Sequence, residues 1–359
     1  MYAKNCLFAL LFCAELNAVE VLFVSPSSPE DPFFSRVELY TNMAAESLNL
    51  HVETIYGGGH RIYQHQELNK RLQVSRPDYL VLQIFSGSGE PLFELLSQYP
   101  DMNVITLERL LLKDESDAIG LPGEKHRNWI GEIYIDNQTA SRKLSRHLLK
   151  VCKEQAEKNR NGVVGLNGFH GYEADSREAG LKQAITAQSA FRLNQVVNAK
   201  WQRELAQQQT ATLMQRYPDT SIFWSASDWL ALGVSDALIN GGFKQKFCIG
   251  GFDWLPEMLD AIKQQKVNAS VGGHFMMGAW AMVMISDHLN FSRRESKNYN
   301  MGSVKMEMGL ATRENAETVS RLLQPEFWKE VDFHRFSLTH SQRESYDFSL
   351  QRLMELIKK

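Results

Sequence analysis

Residues 222–274 constrain the fold more than any other stretch of the chain. Short apolar runs at 222–224, 247–250 and 267–271 have the length of buried strands, and apolar residues at helical spacing separate them. The order strand, helix, strand, helix, strand predicts a parallel sheet with right-handed crossover connections. A chain that contains such a unit folds as an α/β protein, and its neighbouring segments have to cover both faces of the sheet.

Polar or conformationally special residues follow each of these strands. Ser227 and Asp228 follow the first, Asp253 and Trp254 the second, and His274 the third. Ligands of open parallel sheets bind in the crevice beyond the carboxyl ends of the strands. We therefore expect these three loops to lie at one edge of the sheet and to form part of a binding site.

The strand–helix pattern occurs twice along the chain. The first series ends near residue 134 and contains an irregular connection at 110–128. The second series runs from near residue 134 to residue 274. Two such series predict two doubly wound parallel-sheet lobes that face each other across a cleft. Further strands are predicted at 19–25, 51–56, 79–85, 103–107, 129–134, 162–167 and 193–197.

Composition excludes several classes of protein. With 359 residues, 43% of them hydrophobic and 23% charged, the chain has the size and balance of a soluble protein of two domains. A net charge of −3 and the absence of a basic run argue against nucleic-acid binding. No H-E-x-x-H, C-x-x-C or G-x-S-x-G pattern occurs. We therefore predict no metal, no cofactor and no enzymatic activity; hydrolysis by Glu108 and Asp253 is the enzyme alternative.

The N-terminus has the pattern of a secretory signal. Lys4 precedes an apolar run at 6–14, and Ala18 is a small residue at the expected cleavage point. The run is too short to span a bilayer. A lipid anchor on Cys13 is disfavoured because Phe12 is bulky where a small residue is expected. The sequence thus predicts export to the periplasm with cleavage near Ala18.

Two cysteines remain after such a cleavage. Cys152 lies on a predicted helix and Cys248 on a predicted strand of the same lobe. An oxidising compartment permits a disulfide between them. Two separate buried thiols are the favoured interpretation, because free cysteine is among the most buried residue types.

Six short motifs, in the same order along residues 19–315, resemble those of the type I periplasmic binding proteins, and the ribose-binding and related sugar-binding branch most closely. They combine a turn after the first strand, an acid–arginine pair, an arginine before a glycine, and three later loops. They are Asp31-Pro32-Phe33-Phe34, Glu108-Arg109, Arg177 before Gly180, 227–233 (Ser-Asp-Trp-Leu-Ala-Leu-Gly), Gly251-Phe252-Asp253, and 312–315 (Thr-Arg-Glu-Asn).

The resemblance implies lobes joined by a three-crossing hinge near 134–136, His274 and 309–312. It implies an N-terminal lobe of 19–134 with 275–308, a C-terminal lobe of 135–274 with 309–326, and an extension at 327–359 that packs on the lobes. The implied ligand is small, polar and sugar-like, and closure of the lobes covers it. The implied site residues are Asp31, Phe33, Phe34, Glu108, Arg109, Arg177, Ser227, Asp228, Asp253, Trp254 and His274.

These residue types suit a sugar. Charged side chains give strong hydrogen bonds to hydroxyl groups in a dry site, and aromatic rings cover the apolar faces of a sugar. Phe33, Phe34, Trp224, Trp229 and Trp254 are the candidate aromatic faces.

Several of these residues also have purely structural interpretations. Asp228 is also a good helix cap, Trp224 also fits a strand core, and His274 also suits a hinge. This sequence also departs from the family pattern. Ser227 stands in place of the usual Asn, and Gly273 stands where many members have Gln.

Two partners remain open. An inner-membrane permease would make the protein a transport component. A membrane sensor kinase or cyclase would make it a ligand-sensing component, and the long segment after residue 327 motivates this alternative because a minimal transport binding protein does not need it.

Overall fold

Two six-stranded sheets form the framework of the protein. The computed structural model describes residues 18–155, 160–188, 190–295, 299–341 and 343–357, so that all of the predicted signal segment except Ala18 lies outside the described residues. The predicted fold, two wound parallel-sheet lobes with helices on their faces, is confirmed.

The first sheet is parallel throughout. Its strand order is β11-β5-β4-β3-β1-β2. The strands are β1 Val19–Ser25, β2 Leu50–Tyr56, β3 Tyr79–Gln83, β4 Asn103–Glu108, β5 Trp129–Ile135 and β11 Gly302–Met306.

The second sheet has one antiparallel edge. Its order is β12-β10-β9-β8-β6-β7, and only the pairing of β12 with β10 is antiparallel among the described strands. The strands are β6 Gly162–Asn167, β7 Arg192–Asn198, β8 Thr220–Ser225, β9 Cys248–Phe252, β10 Ala269–Gly272 and β12 Gly309–Thr312.

Helices cover the faces of both sheets. Apolar side chains of β1, β3 and β9 are buried because helices lie on either side of them. No helix in the described ranges is long and apolar enough to cross a membrane. The helices are α1 Phe34–Ser47, α2 Arg61–Leu72, α3 Gly89–Leu96, α4 Lys113–Ile119, α5 Asn137–Gln155, α6 Tyr172–Thr186, α7 Arg203–Arg216, α8 Asp228–Asn240, α9 Pro256–Lys263, α10 Met277–Glu295, α11 Ala316–Leu322, α12 Pro325–Lys329, α13 Leu338–Ser341 and α14 Leu350–Ile357.

The chain passes between the sheets three times. It crosses from β5 to α5, from β10 to α10 through a short 3₁₀ helix at His274–Met276, and from β11 to β12. The last crossing lies at 307–308, slightly before the expected position. The connection at 110–128, expected to be irregular, contains α4, whose N-terminal Glu115 accepts a hydrogen bond from the Leu112 N–H at 3.1 Å.

The C-terminal extension packs on the first lobe. Helix α10 is apolar on all sides, and its residues 277–288 are buried throughout; an all-round apolar helix needs cover on every face. The extension supplies part of this cover. Phe348 stacks on Trp280 at 4.9 Å between ring centroids, and Phe336 lies 4.6 Å from the same ring. The aromatic-rich tail is therefore a structural part of the lobe.

Asp287 on α10 fixes this extension in place. Its Oδ1 accepts hydrogen bonds from the Ser337 hydroxyl (2.5 Å) and from the Thr339 N–H (3.0 Å) and hydroxyl (2.6 Å). Its Oδ2 accepts from the Leu338 N–H at 2.8 Å and from the Tyr346 hydroxyl at 3.1 Å. A fully buried carboxylate is thus satisfied mainly by the extension.

Replacing Asp287 with alanine should lower the free energy of unfolding by about 3 kcal/mol, because several buried donors lose their charged acceptor. Urea unfolding measures this change, and limited proteolysis should show early cleavage at 338–357. Asp260→Ala removes an exposed carboxylate that pairs with Lys263, and should change stability by less than about 0.5 kcal/mol. Wild-type stability of the Asp287 variant would contradict the anchoring role.

Candidate ligand-binding cleft

A cavity of about 750 Å³ lies between the carboxyl ends of the two sheets. Its walls come from the loops that follow β1, β2, β3 and β4 of the first sheet and β6, β7, β8, β9 and β10 of the second. This is the crevice that the topology of wound sheets predicts. A second cavity of about 690 Å³ lies on the second lobe and is lined by none of the predicted site residues.

Eight of the eleven predicted site residues line the cleft. They come from both lobes, so the cleft brings together residues that are far apart in the chain. They are Asp31, Phe33, Phe34, Glu108, Arg177, Ser227, Asp253 and His274. The other three, Arg109, Asp228 and Trp254, do not line it.

Arg177, Asp253 and His274 form a buried charged cluster. The Arg177 guanidinium donates to the Asn137 side-chain oxygen and to the Ala226 carbonyl, both at 2.8 Å. Its Nη1 lies 3.8 Å from Asp253 Oδ1, and His274 Nε2 lies 3.4 Å from the same oxygen. Burial lowers the pKa of His274, so the ring is held neutral. The cluster therefore carries one cation and one carboxylate.

His274 also connects the cluster to an aromatic wall. The Phe33 ring stacks on the imidazole at 4.3 Å between centroids, and Phe34 lies edge-on to Phe33. The His274 Nδ1 is buried and has no hydrogen-bond partner among the described residues. Buried polar atoms are normally paired, so this one is a candidate contact for a ligand.

Asp31 shapes the loop that carries the two phenylalanines. Its Oδ1 accepts hydrogen bonds from the N–H groups of Phe33 (2.9 Å) and Phe34 (2.8 Å), and its Oδ2 accepts from the Ser27 hydroxyl at 2.9 Å. This carboxylate satisfies the free backbone donors at the start of α1. Asp31 thus positions the aromatic wall as well as lining the cleft.

Glu108 is the buried acid of the first lobe. Its side chain is 4% exposed, and its Oε2 has no hydrogen-bond partner in the part of the chain that the structure describes. Burial raises the pKa of Glu108 to about 8; repulsion by Glu173, Asp253 and Asp31 adds to this, and Arg177 opposes it. At neutral pH the group is therefore mainly a neutral acid that can donate a hydrogen bond.

Arg109 points away from the cleft. Residue 108 has a φ of 75°, so the backbone turns there and the two neighbouring side chains diverge. Arg109 donates to the Ile84 carbonyl at 2.6 Å and the Phe85 carbonyl at 2.8 Å, and pairs with Glu115 at 3.1 Å. Arg109 therefore fixes the loops after β3 and β4. Of the predicted acid–arginine pair, Glu108 lines the cleft and Arg109 supports the loops behind it.

Asp228 and Trp254 support the loops from behind. Asp228 accepts hydrogen bonds from the Leu255 N–H at 2.9 Å and the Ser270 hydroxyl at 2.7 Å, while Ser227, not Asp228, caps α8 by accepting from the Leu230 N–H at 3.3 Å. Burial raises the pKa of Asp228. Trp254 is fully buried and donates from its indole N–H to the Ser270 carbonyl at 3.0 Å. Its ring lies against Gly272, where an added Cβ would approach it to 2.4 Å.

Further aromatic residues line the second lobe. Trp229, already a candidate face, lines the cleft, whereas Trp224 is buried in the core. Phe169 and Trp201 were not anticipated. Trp201 occupies a left-handed turn after β7 with a φ of 61°, and its ring lies so close to Gly168 that a Cβ there would be 1.8 Å from it. Its position just past a strand is the signal that could have found it.

The two lobes touch at the cleft. The Gln83 side-chain amide of the first lobe donates to Glu173 Oε1 of the second at 3.2 Å. The Tyr172 N–H donates to the Ser86 hydroxyl oxygen at 3.1 Å, in the opposite direction. The structure therefore represents a closed arrangement, in which side chains of both lobes surround the cavity.

Comparison with known proteins agrees with this architecture. A family model described as "Periplasmic binding protein domain" matches residues 128–293. The D-allose-binding periplasmic protein of Escherichia coli (strain K12) is 28% identical over 97 residues, which span 27% of this chain and 31% of that protein. A periplasmic sugar-binding protein from Pseudomonas fluorescens has a TM-score of 0.81 with 24% identity, over 95% of this chain and 100% of that one.

A further structural neighbour comes from a two-component system. The fructose-binding periplasmic domain of a hybrid two-component system has a TM-score of 0.68 with 19% identity, over 84% of this chain and 93% of that one. At such identities the structural likeness shows the fold alone.

The fold consists of two wound-sheet lobes with a cleft between the carboxyl ends of their strands. The resemblance to the type I periplasmic binding proteins is confirmed, and the chain has their fold. All three proteins named here are sugar-binding proteins by their names.

Proposed function

We propose that this protein captures a sugar or similar polyol in the cleft and delivers it to an ABC transporter as a periplasmic solute-binding protein. The proposed ligand contacts are the eight predicted residues that line the cleft, together with Phe169, Trp201 and Trp229. Arg109, Asp228 and Trp254 are proposed as positioning residues. The lobe boundaries expected from the sequence are part of this proposal, and the strand membership of the sheets supports them.

Two residues with unpartnered polar atoms line one aromatic-walled cavity, and this observation carries the proposal. Glu108 Oε2 from one lobe and His274 Nδ1 from the hinge lack partners within the described residues. A polyol offers hydroxyl groups that both donate and accept, so it can satisfy a neutral acid and a neutral imidazole at once. The rings of Phe34, Trp201 and Trp229 supply apolar faces for the carbon skeleton.

Export remains part of the proposal. The relatives are periplasmic by their names, and the N-terminal segment has the expected signal pattern. Mass spectrometry of the protein recovered from the periplasm should show a chain that begins near Val19.

Thermal denaturation with candidate sugars tests ligand capture. D-Allose, L-arabinose, D-fructose and myo-inositol are each added at millimolar concentration, and a ligand at about 1,000 times its Kd should stabilise the fold by about 4 kcal/mol. Sucrose at the same concentration controls for general osmolyte stabilisation. Failure of every sugar and polyol tested to raise the Tm beyond the sucrose control would contradict the proposal.

Sensing is the second candidate function. The extension covers one lobe, and one structural neighbour is the fructose-binding periplasmic domain of a hybrid two-component system. Uptake of the radiolabelled sugar separates the two roles. Deletion of the gene should abolish high-affinity uptake if the protein serves a transporter. Normal uptake with an altered transcriptional response to the sugar would favour sensing.

A further inference from the structure

Helix α5 packs on one face of the second sheet, directly over β9. A Cβ added at Gly250 would meet the Leu144 side chain at 2.8 Å and the Leu148 side chain at 3.1 Å. Leu144 and Leu148 are one helical turn apart, so Gly250 marks the face of β9 that packs on this stripe of the helix.

The next positions along both elements are cysteines. Cys152 lies four residues after Leu148, on the same stripe of α5. Cys248 lies two residues before Gly250, on the same face of β9. Leu144 and Leu148 lie at Gly250, whereas Cys152, further along α5, reaches the Ser221 carbonyl near the amino end of β8, so advancing along α5 means moving back along the parallel strands β8 and β9. The two thiols are therefore brought face to face.

Neighbouring contacts agree with this placement. The Cys152 thiol donates to the Ser221 carbonyl at 3.3 Å, and the next residue, Ile222, pairs with Cys248 across the sheet. A hydrogen bond from the Cys248 thiol lowers the pKa of Cys152, and the same contact raises that of Cys248. Both side chains are 1% exposed. Both cysteines are buried free thiols in the structure, as the sequence favoured, and their side chains are in contact.

We propose that Cys152 and Cys248 are a disulfide-forming pair that closes during folding in an oxidising compartment. The oxidant is a disulfide such as glutathione disulfide. The Cys152 thiolate attacks it and releases one glutathione thiol, and the Cys248 thiolate then attacks the Cys152 sulfur and releases the second. Two protein thiols are thereby oxidised and one disulfide is reduced. The folded pair is shielded, so exchange has to precede burial.

The bond would tie the first helix of the second lobe to a central strand. It closes a loop that spans most of this lobe, and long loops give the largest gain from a disulfide. The pair lies at the amino end of β9, whereas Asp253, at the carboxyl end, lines the cleft. The disulfide should therefore change stability without changing ligand affinity, and this inference does not depend on the identity of the ligand.

Oxidative refolding of the full chain tests the pair. Protein unfolded in guanidinium is refolded with glutathione disulfide, or with a reductant in a parallel sample, and each product is alkylated after unfolding and mapped by peptide mass spectrometry. We expect a linked peptide pair that contains Cys152 and Cys248, and a Tm roughly 5–10 °C above that of the reduced sample.

A double variant, Cys152→Ala with Cys248→Ala, keeps the N-terminal cysteines and provides the control. Its Tm should be the same with and without the oxidant. Recovery of both cysteines as separately alkylated peptides after oxidative refolding would overturn the proposal. A linked pair with a lower Tm than the reduced protein would overturn it as well, because the bond would then distort the native packing.

Discussion

Replacing Arg177 with alanine should weaken binding of the sugar that stabilises the wild-type protein by about 10³-fold, or about 4 kcal/mol. Among the lysine and arginine side chains that line the cleft in the described ranges, Arg177 alone is buried. Its guanidinium is held by Asn137 and Ala226, so it is aligned before the ligand arrives. Its loss also leaves Asp253 without its cation. Isothermal titration calorimetry measures the change in Kd.

Two further variants make this result interpretable. Arg177→Lys keeps the charge but loses the fork of donors, and should recover only part of the affinity. Arg192→Ala removes an exposed arginine of the same lobe that pairs with Asp219, and should leave the Kd unchanged. A Tm measurement without ligand shows whether each variant is folded. If folded Arg177→Ala bound the sugar as tightly as the wild type, the cleft would not be the binding site.

The sequence located the cleft through one rule, that ligands bind past the carboxyl ends of parallel strands. The rule works for Glu108, Ser227, Asp253 and His274, since each follows a buried apolar run that is easy to recognise. It cannot decide which of two adjacent side chains enters the cavity. That choice separates Glu108 from Arg109, and it depends on the backbone angles of the loop.

The side-chain directions that the sequence could not predict belong mainly to non-glycine residues with a left-handed backbone conformation. Glu108, Lys200, Trp201, Asp253 and Trp254 all have positive φ, and all lie in the cleft or directly behind it. Non-glycine residues adopt this conformation at a cost, and only the surrounding packing maintains it. No local sequence pattern predicts such a turn. The sequence therefore predicts Trp254 as a ligand contact although its ring is buried behind the cleft, and it does not single out Trp201, which lines the cleft.

In the C-terminal extension, too, local sequence predicts the type of structure, whereas its position depends on tertiary packing. Its aromatic content and its terminal amphipathic helix predict a packed segment. The surface on which it packs could not be predicted from local sequence, because that surface consists of a carboxylate of α10 and the Trp280 ring, which are distant in the chain. The extension also reaches the hinge, since a Cβ at Gly309 would lie 2.5 Å from Leu350 and 2.7 Å from Trp254. The segment that motivated a sensing role thus contacts the residue that follows the last connection between the two sheets.

Glu108 should make the stability of the ligand-free protein fall as pH rises from about 5 to about 8, and Glu108→Gln should remove this contribution. The pKa of Glu108 is raised to about 8 in the folded protein from 4.5. Between these values the folded protein holds a proton that the unfolded chain has released, so the free energy of unfolding decreases with pH. The stabilising contribution is complete below about pH 4.5 and is lost as pH passes 8, with a slope of up to about 1.4 kcal/mol per pH unit.

Urea unfolding at pH values from 5 to 9 measures this dependence. The difference in free energy of unfolding between Glu108→Gln and the wild type should grow with pH and level off above about 8, at a few kcal/mol. Glu94→Gln, at an exposed position of α3, is measured in parallel as the matched control variant. A difference for Glu108→Gln that did not vary with pH would mean that the buried acid is ionised throughout.

A third variant identifies which neighbours hold the proton on Glu108. Repulsion by Glu173 is the largest charge effect on the group, after burial itself. Glu173→Gln should therefore lower the pKa of Glu108. When Glu108→Gln is compared with its parent in this background, the difference in free energy of unfolding should level off at a lower pH and at a smaller value. Since Glu173 belongs to the second lobe and Glu108 to the first, this shift requires the lobes to be closed. An unchanged titration in the Glu173 variant would mean that the ligand-free protein is open in solution, with Glu108 protonated through burial alone.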